Sequence, residues 1–182
     1  MNILNIYYSS TGNTKRVADI IAETADKERH PVETIRIKPG MAPDFDLLDY
    51  DLVFAGSGVY EWLPGKPVLS LFSKLAKHYR KLGNIEQPAR RRRTKQAVVY
   101  CTYGGTHTGS NEAVPTVKYM GQLFDHLGFE IAGEWYVVGE FHGAYLDFSK
   151  KGKLGNITGR PNDSDLQSVA EMVKGTLQIK TA

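Results

Sequence analysis

The chain has 182 residues, of which 41% are hydrophobic, enough for one well-packed domain and against global disorder. Lysine and arginine number 23 against 20 acidic residues, a net charge of +3, too mild to argue for nucleic acid. A single cysteine, Cys101, excludes an internal disulfide framework. No apolar run approaches the ~18 residues of a membrane span, and the opening MNILNIYY lacks the basic start of a signal peptide. The expectation is one cytoplasmic domain over 1–182.

In chain order, Asn2–Tyr8 reads as a buried strand. Asn13–Ala25 is a helix, with Val17, Ile20, Ile21 and Thr24 on one face and Lys15, Arg16, Asp19 and Glu23 opposite. Val32–Ile37 alternates as a second strand. Lys38–Tyr50, with two Pro and one Gly, predicts a short helix or an irregular connection. Leu52–Ser57 is a third strand and Pro67–Leu82 a helix that stops at Gly83. Within Leu63-Pro64-Gly65-Lys66-Pro67, Gly65 suits a bend and Pro67 a first helical turn, so no function is needed there. Gln96–Cys101 is a fourth strand, Glu112–Leu127 a helix stopped by Gly128, and Glu130–Phe141 a fifth strand. A Gly- and Lys-rich excursion, 142–162, precedes the helix Asp163–Gln178, with Asp163 or Ser164 as its cap. Strands that alternate with helices and are apolar on both faces predict a parallel sheet covered on both sides.

Ligands of such sheets sit beyond the carboxyl ends of the strands. There lies Ser9-Ser10-Thr11-Gly12-Asn13-Thr14, ahead of a helix whose first N–H groups lack internal partners and whose dipole favours an anion. Four hydroxyls add donors, and Gly12 permits close backbone approach. A phosphate cradle is one reading; a well-capped helix is the other, since Ser, Thr and Asn are ordinary caps. The loop lacks the Gly-Lys-Ser/Thr ending of nucleotide P-loops, and Gly56-Ser57-Gly58-Val59-Tyr60-Glu61 fails the dinucleotide fingerprint at its last place.

A hydroxyl-rich phosphate loop after the first strand resembles flavodoxin, whose motif Thr/Ser-x-Thr-Gly-x-Thr is met by Ser9–Thr14. The resemblance implies a flavodoxin-like three-layer sandwich, α/β, with a five-stranded parallel sheet in the order 2-1-3-4-5 and helices on both faces. It implies FMN at the switch point and an excursion like that of long-chain members. Two further loops should hold the flavin ring. One is Gly58, Val59, Tyr60, Glu61 and Trp62; the other is Thr102, Tyr103, Gly104, Gly105 and His107. Tyr60, Trp62 and Tyr103 stand in polar loops and are candidates to stack on the ring.

The chain departs from the acidic electron carriers of that family. It is basic, and its fourth-strand loop has Thr106, His107 and Thr108 with no carboxylate before Glu112. Glu61 stands near the place where the family often has a glycine, and a Cβ there should resist a positive φ. Both departures should ease the fully reduced anionic flavin and disfavour its one-electron form. Three readings follow: a carrier moving electrons between redox partner proteins, an NAD(P)H-dependent FMN or quinone reductase, or a flavin-free binding module that keeps the loops without the cofactor. His107 either offsets charge at the flavin N1/O2 edge or is solvated and idle. His142 shares that edge with less to support it. Cys101 reads as a small buried hydrophobe. Arg90–Arg93 and Lys95 precede the fourth strand, roughly 20 Å from the flavin end at about 3.3 Å per residue, and read as a solvated loop. Lys150, Lys151, Lys153 and Arg160 follow the fifth strand and are better placed to meet a partner or a nucleotide phosphate.

Overall fold

The computed structural model describes residues 1–178; the last four residues of the expected 1–182 domain, 179–182, lie outside the described residues. The strands are β1 (Ile3–Tyr8), β2 (Val32–Arg36), β3 (Leu52–Tyr60), β4 (Leu63–Pro64), β5 (Gln96–Tyr103) and β6 (Glu130–Val138). The helices are α1 (Asn13–Lys27), α2 (Lys66–Lys81), α3 (Val114–Leu127), α4 (Phe148–Lys151) and α5 (Asp163–Gln178). Five strands run parallel in the order β2-β1-β3-β5-β6, and the short β4 pairs antiparallel with β3. This is the expected order, with β4 added.

Burial follows position in the sheet. The central β1, β3 and β5 are buried almost throughout, whereas β2 and β6, at the edges, are largely half-exposed. One core, under α2 and α3, holds Leu71, Phe72, Leu75, Val117, Met120 and Phe124. The other, under α1 and α5, holds Val17, Ile21, Val169 and Val173 against Tyr7, Phe54, Tyr100 and Trp135. Each such Leu, Val or Phe contributes about 1.5–3 kcal/mol by leaving water. Inside the second core, Asn5 and Tyr100 are completely buried. Tyr100 Oη donates to Asn5 Oδ1 (3.0 Å), and Asn5 Nδ2 donates to the Ala18 carbonyl (2.9 Å), so α1 is fixed over β1 by a satisfied polar chain.

Several boundaries differ from the expected ones. β3 continues to Tyr60 because Ser57 Oγ accepts from the Gly65 N–H (3.0 Å) and Val59 and Tyr60 pair with Pro64 and Leu63, closing a hairpin. β5 continues to Tyr103, and β6 ends at Val138. α3 starts at Val114, with Pro115 in its first turn and Glu112 in a preceding 3-10 turn. The cap of α5 is Asn162, neither Asp163 nor Ser164: its Oδ1 accepts from Asp165 N (3.1 Å), and Asp165 Oδ2 accepts from Asn162 N (2.8 Å), a reciprocal capping box. The 38–50 connection is irregular apart from the 3-10 turn Leu47–Asp49. The 142–162 excursion contains α4 and folds onto the loop after β5, where Lys153 N donates to the Thr106 carbonyl (2.7 Å).

Candidate functional site

The Ser9–Thr14 loop leaves the carboxyl end of β1 and starts α1. Gly12 takes φ 105°, and no side chain among the described residues caps the helix. The hydroxyls therefore do not cap it. Ser9 is buried, and its Oγ accepts from Gly12 N (3.1 Å), ahead of the helix. The first internal helical bond is Arg16 N to the Gly12 carbonyl (3.0 Å), so the N–H groups of Asn13, Thr14 and Lys15 precede the helical ladder. No acidic residue occupies the first turn. Backbone N–H groups, the positive end of a helix and the exposed hydroxyls of Ser10 and Thr11 together fit a phosphate monoester dianion.

The other members of the loop join it to its neighbours. Thr14 is buried, and its Oγ1 lies 2.8 Å from Thr102 Oγ1 on β5. Ser10 Oγ lies 2.6 Å from Tyr60 Oη on β3. Asn13 Nδ2 donates to the Glu140 carbonyl (2.8 Å), and its Oδ1 is 3.2 Å from His142 Nε2. The three loops singled out in the sequence, and the segment after β6, thus converge on one edge of the sheet.

The second loop is the tip of the β3–β4 hairpin. Glu61 and Trp62 form its two-residue turn at φ 50° and 67°. Glu61 thus takes a positive φ in spite of the cost expected of its Cβ. The right-handed twist of a two-residue hairpin demands that region at both turn positions, and the Thr116 hydroxyl holds the Trp62 carbonyl at 2.8 Å. Replacing Glu61→Asn and Trp62→Gly together should stabilise the fold by about 1–2 kcal/mol, because side chains pay that order of cost in this region; urea denaturation measures it. Trp62 is 61% and Tyr60 38% exposed, which leaves aromatic faces open at the rim. The Tyr8 and Tyr60 rings meet at 5.9 Å, and burial raises the Tyr60 pKa.

The third loop differs more from expectation. Thr102 and Tyr103 end β5, and Tyr103 is only 8% exposed, within the core beneath α2 and α3. It is a core residue and does not stand in a polar loop; burial raises its pKa too. Gly104 lies under Phe141, where a Cβ would come within 2.0 Å of the ring. Gly105 takes φ 58°. The Glu112 carboxylate turns back into the loop, and its Oε1 accepts from the N–H groups of His107 (2.6 Å) and Thr108 (2.7 Å). The loop accordingly carries a negative charge that the linear reading placed beyond it. The His107 side chain is exposed. Thr106 Oγ1 is buried with no hydrogen-bond partner among the described residues, a free donor in the same loop.

The remaining expectations sort by edge. Cys101 is buried, which pushes its thiol pKa up and fits a core role. Arg92 Nε donates to the Leu127 carbonyl (2.9 Å) and its N–H to the Gly128 carbonyl (2.7 Å), so one of the four arginines closes the end of α3. Lys95 lies 3.6 Å from Asp51. Lys150 pairs with Asp147 at 2.8 Å on the surface, and Lys151 and Lys153 are exposed. Arg160 pairs with Asp165, partly buried. Two adjoining cavities of about 300 Å3 and 380 Å3 lie along α2 and α3, away from these loops, and share Arg80, Ile85 and His126. One residue near the first loop was not anticipated: Arg36 Nη2 donates to the Ser9 carbonyl (2.9 Å). No helix among the described residues is long and apolar enough to cross a membrane, and no cluster there could hold a metal ion.

Among solved structures, the chain is similar to oxidised flavodoxin 1 from Bacillus cereus, with 14% identity, 99% of each chain covered and a TM-score of 0.69. A Streptococcus pneumoniae flavodoxin matches with 16% identity over 97% of this chain and 98% of its own, TM-score 0.65. A flavodoxin, WrbA-like protein from Agrobacterium tumefaciens matches with 17% identity over 98% and 99%, TM-score 0.56. No family model matches the sequence, and no curated protein matches it. At these identities the likeness establishes the fold, which is flavodoxin-like.

Proposed function

We propose that the protein binds FMN non-covalently and transfers electrons between partner proteins. The observation that carries this is the uncapped start of α1 behind Ser9–Thr14, tied by Ser10–Tyr60 and Thr14–Thr102 to the two other loops. In this reading the backbone of Ser9, Ser10, Thr11, Gly12, Asn13 and Thr14, with the Ser10 and Thr11 hydroxyls, holds the phosphate. Tyr60 and Trp62 offer their faces to the ring, beside Gly58, Val59 and Glu61. Thr102, Tyr103, Gly104, Gly105 and His107 form the opposite wall, with Tyr103 packing behind it. Bound FMN would supply the one- and two-electron chemistry; the chain positions it and sets the charge around it. No acid, base or nucleophile from the protein is required. The flavodoxins among the similar structures support this reading.

The reductase reading rests on the net charge of +3 and on the lysines of the excursion, which reaches the third loop through Lys153 N and Thr106 O. Glu112 counts against it, since a carboxylate in that loop opposes negative charge on a reduced ring. Anaerobic mixing with NAD(P)H separates the two. A carrier keeps its flavin colour over minutes, and a reductase bleaches at once. Reversing Lys151→Glu and Lys153→Glu, both exposed, should slow electron exchange with an acidic reductant by about three- to tenfold and leave FMN affinity unchanged. An unchanged rate rules the lysines out.

A further inference from the structure

Flavin phosphate sites built from hydroxyls and N–H groups need no cation, and the sequence reading assigned none here. The structure places a guanidinium on the loop. Arg36 is the last residue of β2 and pairs in register with Tyr7, two residues before Ser9. Its side chain reaches along the strand ends, and Nη2 donates to the Ser9 carbonyl at 2.9 Å. A guanidinium has five N–H donors. One bond to the loop fixes its position and leaves the others unspent. The residue is exposed, and no carboxylate among the described residues pairs with it.

The other cations at this end of α1 are differently disposed. Lys15 Nζ is held by Asp19 Oδ2 at 2.6 Å, so its charge is already matched. Asp19 raises the Lys15 pKa, and Arg36 works against that rise, which puts the two cations within each other's field. Arg16 is exposed, and no bond ties its side chain to the loop among the described residues. Arg36 alone of the three is anchored to the loop backbone while its charge is unmatched. An unmatched guanidinium beside a cluster of N–H groups and a helix start makes a field that an anion relieves.

We propose that Arg36 is an anion-binding residue of the Ser9–Thr14 loop, which adds a charge-assisted contact to the phosphate of the flavin and selects the phosphorylated cofactor over riboflavin. This rests on the FMN reading above. It differs from a tethering role, in which the guanidinium only holds the Ser9 carbonyl. A tether can be replaced by any neutral donor, and its loss does not depend on ionic strength.

The test titrates flavin-free protein with FMN and with riboflavin at several NaCl concentrations, for the unaltered chain, Arg36→Gln, Arg36→Lys and Arg16→Gln. Arg36→Gln keeps a donor and removes the charge. It should raise the FMN Kd about tenfold at low salt, with a gap that narrows as salt screens the charge, and should change the riboflavin Kd by less than about twofold. Arg36→Lys should recover most of the loss, and Arg16→Gln should cost about twofold or less. The proposal is overturned if Arg36→Gln leaves FMN affinity unchanged, if it weakens both flavins alike, or if its effect ignores salt. Circular dichroism of each variant checks that the fold is intact. An unaltered chain that binds no FMN overturns the cofactor reading, and this proposal with it. An unaltered chain that prefers FMN, with an indifferent Arg36→Gln, overturns this proposal alone.

Discussion

Replacing Thr11→Ala and Thr14→Ala together should raise the FMN Kd about a hundredfold and leave riboflavin within about threefold. Hydrogen bonds to a charged group contribute about 1.5–3 kcal/mol each, and 1.4 kcal/mol is a factor of ten. The two residues act differently. Thr11 is exposed and would meet the phosphate directly. Thr14 is 1% exposed and its hydroxyl is hydrogen-bonded to that of Thr102 across 2.8 Å, so its loss also leaves a hydroxyl of β5 unpaired. Thr14→Ser by itself should keep FMN affinity close to that of the unaltered chain, because it retains the hydroxyl that bonds Thr102. Fluorescence titration with both flavins measures this, and unchanged FMN affinity in the double variant would remove the basis for placing phosphate at this loop.

Gly56→Ala should destabilise the fold by about 3 kcal/mol. A Cβ there would stand 2.1 Å from Tyr100 Cζ, 2.2 Å from Cε2 and 2.6 Å from Oη. Tyr100 has no room to yield: it is fully buried, and its hydroxyl bonds Asn5, which in turn holds the Ala18 carbonyl of α1. Moving the ring breaks that chain and loosens the seat of the helix whose start forms the anion loop. Tyr100→Phe, which keeps the ring and strands only the Asn5 acceptor, should cost about 1–2 kcal/mol. Urea unfolding of both variants checks the order. A Gly56→Ala protein as stable as the parent would mean that the sheet is not packed as described.

The architecture was legible because its signals are local. Val17, Ile20 and Ile21 mark one face of α1, and the double-sided apolar runs of β1, β3 and β5 mark buried parallel strands. The first loop was legible for the same reason: six consecutive residues carry its chemistry. What was not legible depends on partners far along the chain or on an unusual turn. Glu61-Trp62 carries no Asn or Gly to announce a hairpin, yet both residues take positive φ because β4, two residues long, pairs with β3. Tyr103 looked like a loop aromatic because a strand end has no sharp sequence mark; two more ladder positions put it in the core. Glu112 was read as lying beyond its loop, whereas a 3-10 turn brings its carboxylate back to His107 and Thr108. Arg36 lies inside the expected strand Val32–Ile37 with nothing in the sequence to mark it, since its proximity to Ser9 arises only when β2 pairs with β1.

The central claim is that the converging loops hold FMN by its phosphate. Identifying the flavin released from the denatured purified protein, and titrating the flavin-free chain with FMN, tests it most directly. The expected result is that FMN is the flavin released, and that the flavin-free chain takes up one FMN, more tightly than riboflavin. A protein that carries no flavin and shows no saturable binding of FMN would contradict it.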